Sequence, residues 1–335
     1  MSLESNLFDT GARRHFRQRL LRWYDRNHRK LPWRGETDPY RILLSEIMLQ
    51  QTRVAVVEER YRLFLAQFPT AEHLARASED SVLAAWSGLG YYRRARSLHA
   101  AAKTIAKAKC FPRSSVELAE LPGVGRYTAA AVASIAFGEP VAVVDGNVQR
   151  VIGRIAGKEV TVEQSWETAQ ALLHPLRSGD FNQAMMELGA TVCLPTNPAC
   201  GHCPVIDFCE SQGPSPRKAR QARKKATLAC VFTRKGNSVY LRRRMQNASL
   251  MPGMWELPEI KGSERTRGQP LLQLRHSITN TDYRVLVFHG STPLAGNKNG
   301  GARGRWVALT CVNKLPLTGL TNKILRNLGL LPNNQ

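Results

Sequence analysis

A change in hydrophobic periodicity near residue 212 constrains the fold of this 335-residue chain more than any other feature. Before it the period is helical: "RRHFRQRLLRWYDRN" puts Phe16, Leu20, Trp23 and Tyr24 on one helix face. After it "TLACVFTRKGNSVYLRRR" alternates with period two and predicts a hairpin around 235–237. "YRVLVFHG" and "RGRWVAL" predict further strands, and "TNKILRNLG" a closing helix. The sequence therefore predicts an all-helical body followed by a small α+β domain.

The stretch that joins these two parts is basic and has no apolar residue larger than Ala. "GPSPRKARQARKKA", which starts at residue 213, holds two prolines and six Lys or Arg. Such a composition cannot build a core and is typical of an exposed linker. We assign 213–227 as a basic interdomain linker, with contact to nucleic-acid phosphates as a possible addition to its tethering role.

The charge of the chain points to a polyanionic partner. Formal net charge is +22 and the pI is about 10.3, with 43% apolar and 22% charged residues. Neutralising phosphates releases condensed counterions, so this field favours nucleic acid; a merely basic soluble protein is the alternative. The sequence has no apolar run long enough for a membrane span and no signal-peptide core, so we expect a cytoplasmic protein.

Four of the seven cysteines form a C-x6-C-x2-C-x5-C run at Cys193, Cys200, Cys203 and Cys209. Disulfides are disfavoured in a cytoplasmic chain. Structural zinc is the second alternative, although its ligands usually come as two closely spaced pairs. Four thiolates in one short loop suit a [4Fe–4S] cluster, with one cysteine on each iron. The run therefore favours an iron–sulfur site and leaves zinc open.

A second motif, "LAELPGVGRYTAAAVASIAF", predicts two helices joined by a tight turn. Its residues Gly123, Val124 and Gly125 would bring backbone N–H groups and the positive end of a helix close to a ligand. A phosphate of a nucleic-acid strand fits such a turn, and the contact carries no sequence information. The whole unit is typical of a helix-hairpin-helix.

Two carboxylates stand in unusual contexts. Asp145 follows the apolar run of "VAVVDGNVQRVIGRI", where an ordinary helix N-cap is one interpretation. Glu46 lies within "YRILLSEIMLQQTRVAVV", residues 40–57, which predicts one helix apolar on nearly every side. A carboxyl group in such surroundings costs stability, so it needs a functional reason.

These motifs together resemble the mismatch adenine DNA glycosylase (MutY) family of the endonuclease III superfamily. The resemblance rests on "LSEIMLQQTRV", "GLGYYRRARSLHAA", "LPGVGRYTA", "DGNVQRV" and the cysteine run, and covers residues 13–212. It implies that Glu46 is the general acid, that Asp145 stabilises the sugar cation, and that Tyr127 and Asn147 orient them. Tyr127 occupies the position where bifunctional relatives have a lysine, and a phenol forms no imine, so a monofunctional enzyme is implied.

The resemblance also implies residues that contact the substrate. Those lining the adenine pocket would be Arg29, Trp33, Arg34 and Glu187, although Trp33 could equally be core. Gln51 and Tyr91 match the residues that wedge into the duplex opposite the flipped base. The four cysteines would hold the [4Fe–4S] cluster.

The C-terminal segment "YLRRRMQNASLMPGMWELPEI" resembles the opening of a Nudix-type domain. The residues after it lack the R-E-x-x-E-E box that holds Mg²⁺, so we expect recognition rather than hydrolysis. In the family this domain reads 8-oxoguanine through a Phe-Ser-His loop. Here Ile278, Thr279 and Asn280 stand in that place, which keeps a hydroxyl and an apolar wedge but replaces the histidine.

The expected architecture is an all-α helix-hairpin-helix glycosylase body with an iron–sulfur loop and a C-terminal α+β Nudix-like domain. Residues 1–30 and 146–212 would form the cluster subdomain, 31–145 a six-helix barrel subdomain, and 228–335 the lesion-recognition domain. The expected function is removal of adenine opposite 8-oxoguanine or guanine in base excision repair, by a monomer that binds duplex DNA in a bacterial cytoplasm, near the nucleoid, without contacting a membrane. The alternatives are a thymine–guanine mismatch glycosylase and a non-catalytic, redox-responsive DNA-binding protein.

Overall fold

The computed structural model describes residues 9–213, 222–260, 268–290 and 304–332. It divides into two compact units, the first from 1–76 and 97–218 and the second from 77–96 and 219–335. None of the described helices is both long and apolar enough to cross a membrane. The predicted helical body and α+β C-terminal domain are confirmed, whereas most of the predicted linker, 214–221, lies outside the described residues.

Helices with short connections make up the chain as far as Thr191. They are α1 Thr10–Asn27, α2 Pro39–Leu49, α3 Val54–Gln67, α4 Ala71–Arg76, α5 Glu79–Ala85, α6 Arg93–Ala108, α7 Ser115–Ala119, α8 Arg126–Phe137, α9 Gly146–Ile155, α10 Val162–Leu172 and α11 Ser178–Thr191. Several begin at a polar cap that satisfies free backbone N–H groups. Asp38 accepts from Tyr40 N and Arg41 N, and Ser114 and Glu117 form a reciprocal capping box.

The single helix predicted over 40–57 is wrong. Helix α2 ends at Leu49, Gln51 has a left-handed backbone with φ of 55°, and α3 begins at Val54. Both helices bury apolar side chains, so the hydrophobic pattern continues across the break and cannot reveal it. The break turns Gln50 and Gln51 out of the helical path and into the wall of the pocket described below.

A core cluster from α1, α9, α10 and α11 supports the cysteine-rich segment. Phe16, Ile152 and Phe181 are fully or almost fully buried in it, and Val205 from the cysteine loop joins them. The ring of Phe208 packs edge-on against Phe16, with centroids 5.4 Å apart. The loop is thus anchored by hydrophobic contacts on this core.

Two small sheets form the C-terminal part of the second unit. The strands are β1 Lys224–Phe232, β2 Arg234–Lys235, β3 Ser238–Arg243, β4 Trp255–Glu256, β5 Leu272–Ile278, β6 Thr281–His289 and β7 Gly304–Ala308, with helices α12 Leu309–Val312 and α13 Gly319–Asn327. One sheet has the order β1-β6-β5, and the other β2-β3-β4 with β7 beside β3.

The predicted hairpin around 235–237 joins β2 and β3, and Gly236 at its turn has φ of 54°. Strand β1 does not extend this hairpin but pairs in parallel with β6, from Lys224 opposite Thr281 to Phe232 opposite His289. The last residues of the predicted linker, from Lys224 onward, are therefore strand.

Residues 77–96 belong to the second unit because C-terminal side chains hold them. Arg243 pairs with Asp80 at 2.6 Å, and Tyr92 donates its hydroxyl to the carbonyl of Leu317 at 3.4 Å. The period of this segment is helical, and nothing local in it reveals this packing. The observed division therefore differs from the predicted subdomains, which put 77–96 in the helical barrel.

Candidate active site

A cavity of about 680 Å³ in the first unit brings the predicted catalytic and adenine-pocket residues together. Its walls are partly apolar, with Ile42, Leu49 and Val144 among them. The predicted residues that line it are Arg29, Trp33, Arg34, Glu46, Gln51, Gly125, Tyr127, Asp145, Asn147 and Glu187. Mostly apolar walls with a few convergent polar groups are what a small-molecule or base-binding site requires.

Glu46 is the buried acid of this cavity. Helix α2 presents it with only 6% of its surface exposed, and the hydroxyl of Tyr127 donates to its Oε2 at 2.7 Å. Burial raises the pKa of Glu46, and the nearby charge of Asp145 adds to this; the Tyr127 hydrogen bond and the charge of Arg34 oppose it only in part. The carboxyl group therefore keeps its proton to higher pH than an exposed glutamate.

Tyr127 is a neutral donor at this site. It is the second residue of α8, and its hydroxyl also lies 3.3 Å from the sulfur of Met186. Burial, followed by the charges of Glu46 and Asp145, raises its pKa well above the ordinary value. The phenol is therefore protonated throughout the physiological range.

Asp145 is both a helix cap and a pocket carboxylate. Its Oδ1 accepts from Asn147 N at 2.9 Å and Val148 N at 2.8 Å, and its Oδ2 accepts from the Asn147 side chain at 2.8 Å. These three donors fix the orientation of the Asp145 carboxyl group. The N-cap interpretation is correct, and it is compatible with a place in the cavity wall.

A chain of hydrogen bonds leads from Asp145 to the cysteine loop. Arg150 donates to Asn147 Oδ1 at 2.8 Å, to the Gly189 carbonyl at 2.7 Å and to the Cys193 carbonyl at 2.9 Å. A Cβ on Gly189 would lie 2.6 Å from Asn147 Cβ, so only glycine lets α11 approach α9 this closely. One arginine thus fixes the amide that orients Asp145.

Glu187 gathers two arginines in the cavity wall. Its Oε1 accepts from the backbone N and Nε of Arg29, and its Oε2 accepts from Arg29 at 3.0 Å and Arg34 at 2.8 Å. Burial alone would raise the pKa of Glu187, but the hydrogen bonds from Arg29 and the charges of both arginines lower it. An ionised carboxylate that is 1% exposed is thereby stabilised.

Trp33 fits both interpretations offered from the sequence. Its side chain is buried, with 6% exposure, and packs edge-on against Tyr61 at 5.5 Å between centroids. It also borders the cavity. The indole is therefore core on one side and pocket wall on the other.

The two glycines of the hairpin turn have different roles. Gly123 has φ of 76°, and a Cβ there would lie 2.3 Å from Ser97 Cβ on α6, so internal packing requires glycine. Gly125 is the N-cap of α8 and has open space where a Cβ would be. Only the Gly125 side of the turn is thus free for close approach of a ligand.

The predicted wedge residues Gln51 and Tyr91 are both in left-handed backbone conformations. Gln51 is exposed and has φ of 55°, and Tyr91 is 60% exposed with φ of 46°. Arg94 holds the Tyr91 loop, because its guanidinium donates to the Leu89 carbonyl at 3.0 Å and lies over the Tyr91 ring. Such conformations cost about 1–3 kcal/mol and usually mark functional positions. Tyr91 belongs to the second unit and does not line the cavity.

The predicted recognition residues form the tip of the β5–β6 hairpin. Ile278 pairs with Thr281, so Thr279 and Asn280 are the two-residue connection, and both are exposed. Thr279 has φ of 50°, which is unusual for a β-branched residue. Its hydroxyl donates to the carbonyl of Ile278 at 2.8 Å.

The four cysteines of the run gather in one loop. Burial raises the pKa of Cys203 to about 11, and the charges of the other three cysteines add to this. Arg154 donates to Cys193 Sγ at 3.1 Å. In the described residues no group of three or more Cys, His, Asp or Glu side chains is arranged to hold a metal ion. The spacing of the run along the sequence is what favours a [4Fe–4S] cluster over a single zinc ion.

Sequence reasoning missed three pocket or relay residues. Gln183 accepts from Arg34 and Met186 contacts Tyr127, and both lie on α11 within one turn of Glu187. Arg150 lies one turn after Asn147 on α9. Helical spacing of three and four residues from a predicted site residue would have found Gln183 and Arg150.

Family models match two segments of the chain. Residues 44–177 match the "HhH-GPD superfamily base excision DNA repair protein" model, and residues 193–209 match the "Iron-sulfur binding domain of endonuclease III". The second match begins at Cys193 and ends at Cys209. It confirms the iron–sulfur cofactor, which the four thiols are suited to hold.

Curated relatives extend the similarity over most of the chain. An adenine DNA glycosylase of Rattus norvegicus is 39% identical over an alignment of 323 positions. The alignment covers 77% of this chain and 62% of that protein. One of Mycobacterium tuberculosis is 43% identical over 209 residues, which are 60% of this chain and 68% of that protein. The chain spans 60–65% of the length of the first three relatives it matches.

A solved structure titled as a thermostable thymine-DNA glycosylase superposes with a TM-score of 0.56 at 31% identity. The superposition covers 95% of the solved chain and 59% of this one. About two fifths of this chain therefore has no counterpart in that structure. The predicted helix-hairpin-helix body is confirmed, and the C-terminal domain is α+β as predicted.

Proposed function

This chain belongs to the adenine DNA glycosylase family, and we propose that it removes adenine mispaired with 8-oxoguanine or guanine. The reaction is hydrolysis of the N-glycosidic bond in base excision repair. The observation that carries the proposal is the buried Glu46 carboxyl, hydrogen-bonded by Tyr127 in a cavity that Asp145 also lines. Mere binding of DNA would need neither the acid nor its cost in stability.

The acid acts on the base. The target adenine leaves the stack and enters the cavity, as enzymes that work on a base require. Tyr127 donates to Oε2 of Glu46, so the acid proton resides on Oε1 and can pass to the adenine ring at N7. Protonation makes the base a better leaving group, and general acids of this kind contribute about 10²–10⁴-fold.

Asp145 acts on the sugar. As the glycosidic bond breaks, C1′ gains oxocarbenium character, and the carboxylate stabilises it electrostatically or through a transient covalent bond. Asn147 and the first N–H groups of α9 orient this carboxylate. Water then completes the hydrolysis.

The enzyme is monofunctional under this proposal. Strand cleavage at the sugar requires an amine that forms an imine with C1′. The residue beside both carboxylates is Tyr127, whose raised pKa leaves it a neutral phenol. The product is therefore an abasic site in an intact strand.

Pocket specificity comes from Glu187 and the residues around it. Arg29 and Arg34 are fixed on Glu187, and Trp33 supplies an apolar face. Together they would border the flipped adenine and exclude water from it. A hydrogen-bonded set of this kind rejects bases that leave its polar groups unpaired.

DNA would be held through its backbone and opened by wedges. The net charge of +22 favours phosphate contact, and the open side of the Gly123–Gly125 turn suits one phosphate. The exposed, conformationally strained Gln51 and Tyr91 would insert into the duplex and fill the space of the extruded base.

The β5–β6 hairpin would read the opposite base. The Thr279 hydroxyl donates its one hydrogen to the Ile278 carbonyl, so toward a ligand it acts as a hydrogen-bond acceptor. 8-Oxoguanine carries a proton at N7, whereas guanine presents a lone pair there. An accepting hydroxyl therefore favours the oxidised base, with Ile278 and Asn280 flanking it.

Thymine excision from thymine–guanine pairs is the second candidate, because of the similarity to the thymine-DNA glycosylase. The α+β domain with its hairpin favours the adenine reading, because nothing in the mismatch reaction alone calls for it. Within the adenine proposal, we also propose a cluster subdomain of residues 1–30 and 146–212, a lesion-recognition role for residues 228–335, a monomer, and action on a bacterial chromosome.

The deciding experiment is single-turnover base release from four duplexes. They carry adenine opposite 8-oxoguanine, guanine or thymine, and thymine opposite guanine. We expect release in the order 8-oxoguanine, guanine, then little or none from the last two. Thymine release exceeding adenine release would contradict the proposal and favour the second candidate.

A further inference from the structure

Arg223, just before β1, touches the hairpin that carries Thr279. Its Nη2 donates to the Thr279 carbonyl at 2.9 Å, and its Nε donates to Asp282 Oδ1 at 2.8 Å. One planar guanidinium thus spans the tip of the hairpin and its returning strand. A lysine could not make this two-point contact in a fixed geometry.

Asp282 joins the two arms of the hairpin to this arginine. Its Oδ1 also accepts from the Ser277 hydroxyl at 2.6 Å, across the strands from it. The Ser277 hydrogen bond, helped by Arg223, lowers the pKa of Asp282, so the carboxylate is ionised at neutral pH. Next to it, Lys224 N donates to the Asn280 carbonyl at 3.0 Å.

The tip needs such support because its backbone is strained. Thr279 is β-branched and has φ of 50°, a conformation that persists only where its surroundings hold it. The two-residue connection itself supplies no glycine to relieve that strain. Loss of the Arg223 contact would therefore free the tip to relax to other conformers. The Thr279 hydroxyl could then leave the Ile278 carbonyl.

We propose that Arg223 is a positioning residue for opposite-base recognition, which holds Thr279 in its accepting orientation through Asp282 and the Thr279 carbonyl. This rests on the proposed function of the hairpin and adds the group that presets it. The ion pair is about a third to a half exposed, at 35% for Arg223 and 46% for Asp282, so its effect is modest.

The first test compares substitutions by the ratio of single-turnover rates at adenine opposite 8-oxoguanine and opposite guanine. Arg223→Gln should lower this preference about threefold, a size typical of a partly exposed charge pair. Arg223→Lys keeps the charge but not the fork, and should lower it equally. Arg284→Gln, which removes an exposed arginine on β6 that donates to Gln273 at 3.2 Å, is the matched control and should leave the ratio unchanged.

The second test does not depend on the reaction. Amide hydrogen exchange of residues 278–281 should be faster in Arg223→Gln and in Asp282→Asn, no faster in the double variant than in either single one, and unchanged in Arg284→Gln. Exchange in the buried strand around Val285 and Val287 should not change, which separates a loosened tip from a destabilised domain.

Several outcomes would overturn the proposal. Unaltered exchange at the tip in Arg223→Gln would do so, as would a preference that Arg223→Lys fully retains or that Arg284→Gln loses to the same degree. An unmodified protein that shows no preference for 8-oxoguanine would contradict the proposed reading by the hairpin instead. Exchange at the tip would still decide whether Arg223 holds it.

Discussion

The cavity around Glu46 and the hairpin around Thr279 both rely on hydrogen bonds aimed in one direction, but they differ in burial. Glu46 and Glu187 are 6% and 1% exposed, whereas Thr279 and Asn280 lie in solvent. Proton transfer depends on low dielectric and on a raised pKa, which only burial supplies. Reading a base in a duplex needs a surface that a large ligand can reach. Substitution of Glu46 should therefore abolish most of the excision rate, whereas substitutions in the hairpin should change the preference for the opposite base by small factors.

The largest expected effect comes from Glu46→Gln. The amide keeps the shape but has no proton to donate, so single-turnover adenine release should fall about 10²–10⁴-fold. Binding to a duplex with adenine opposite 8-oxoguanine should be retained, as measured by gel shift. Glu59→Gln, an exposed glutamate on α3, is the control and should keep full activity. Undiminished release by Glu46→Gln would refute the acid assignment.

Tyr127→Lys should give the cavity a new reaction. An amine beside Asp145 can form an imine at C1′, so borohydride should trap a protein–DNA adduct that the parent protein does not form. The measurement is a denaturing gel shift of labelled duplex. Absence of the adduct, in a variant that still releases adenine, would count against the position of Tyr127 next to the sugar.

Gly189→Ala tests whether a change outside the cavity wall affects the residues that line it. The new Cβ would collide with Asn147, and overpacking of this kind costs about 1–3 kcal/mol of folding free energy. Displacement of the amide that orients Asp145 should also slow adenine release about tenfold or more. Gly153→Ala, on the same helix as Asn147 but with only ordinary contacts at 3.4 Å or more for the new Cβ, is the control and should lower neither the unfolding free energy nor the rate.

Thr279→Val should have a smaller effect, confined to recognition. Loss of the hydroxyl should lower the preference for 8-oxoguanine over guanine about tenfold and leave release opposite guanine unchanged. Thr279→Ser keeps the hydroxyl and should keep most of the preference. An equal fall in both rates would mean that the hairpin acts on binding in general.

The smallest effect concerns stability against pH. The folded protein keeps the Glu46 proton to higher pH than the unfolded chain, because burial raises the folded pKa. The stabilisation is therefore complete below the unfolded pKa and is lost as pH rises through the folded pKa. The melting temperature of Glu46→Gln, minus that of the parent, should increase by a few degrees between about pH 5 and about pH 8. A difference independent of pH would show that Glu46 has an ordinary pKa.

A substitution in the hairpin is a cleaner test of recognition than removal of the C-terminal domain. Residues 77–96 carry the Tyr91 loop, and Arg243 and Leu317 hold that segment through Asp80 and Tyr92. Truncation after the linker would strip these contacts and disturb a predicted wedge as well. Its effect on excision would therefore mix two causes.

The sequence predicted the helical body, several of the strands and ten of the residues that line the cavity, because periodicity and local motifs specify them. It missed the break at Gln50–Arg53, since two buried helices share one apolar pattern. It also missed the parallel pairing of β1 with β6 and the role of Gly189, which depend on segments far apart in sequence. Close approach between distant backbones leaves no periodic signal in either segment.

Asp145 both caps α9 and lines the cavity, and this has a consequence for the evolution of related proteins. Asn, Ser and Thr cap helices nearly as well as Asp, but none of them carries a negative charge at neutral pH. A lineage released from selection for excision could therefore exchange this aspartate for asparagine and keep α9 intact. Its members would remain well folded and would still bind damaged duplexes. Only the residue at this position would indicate that they no longer excise the base.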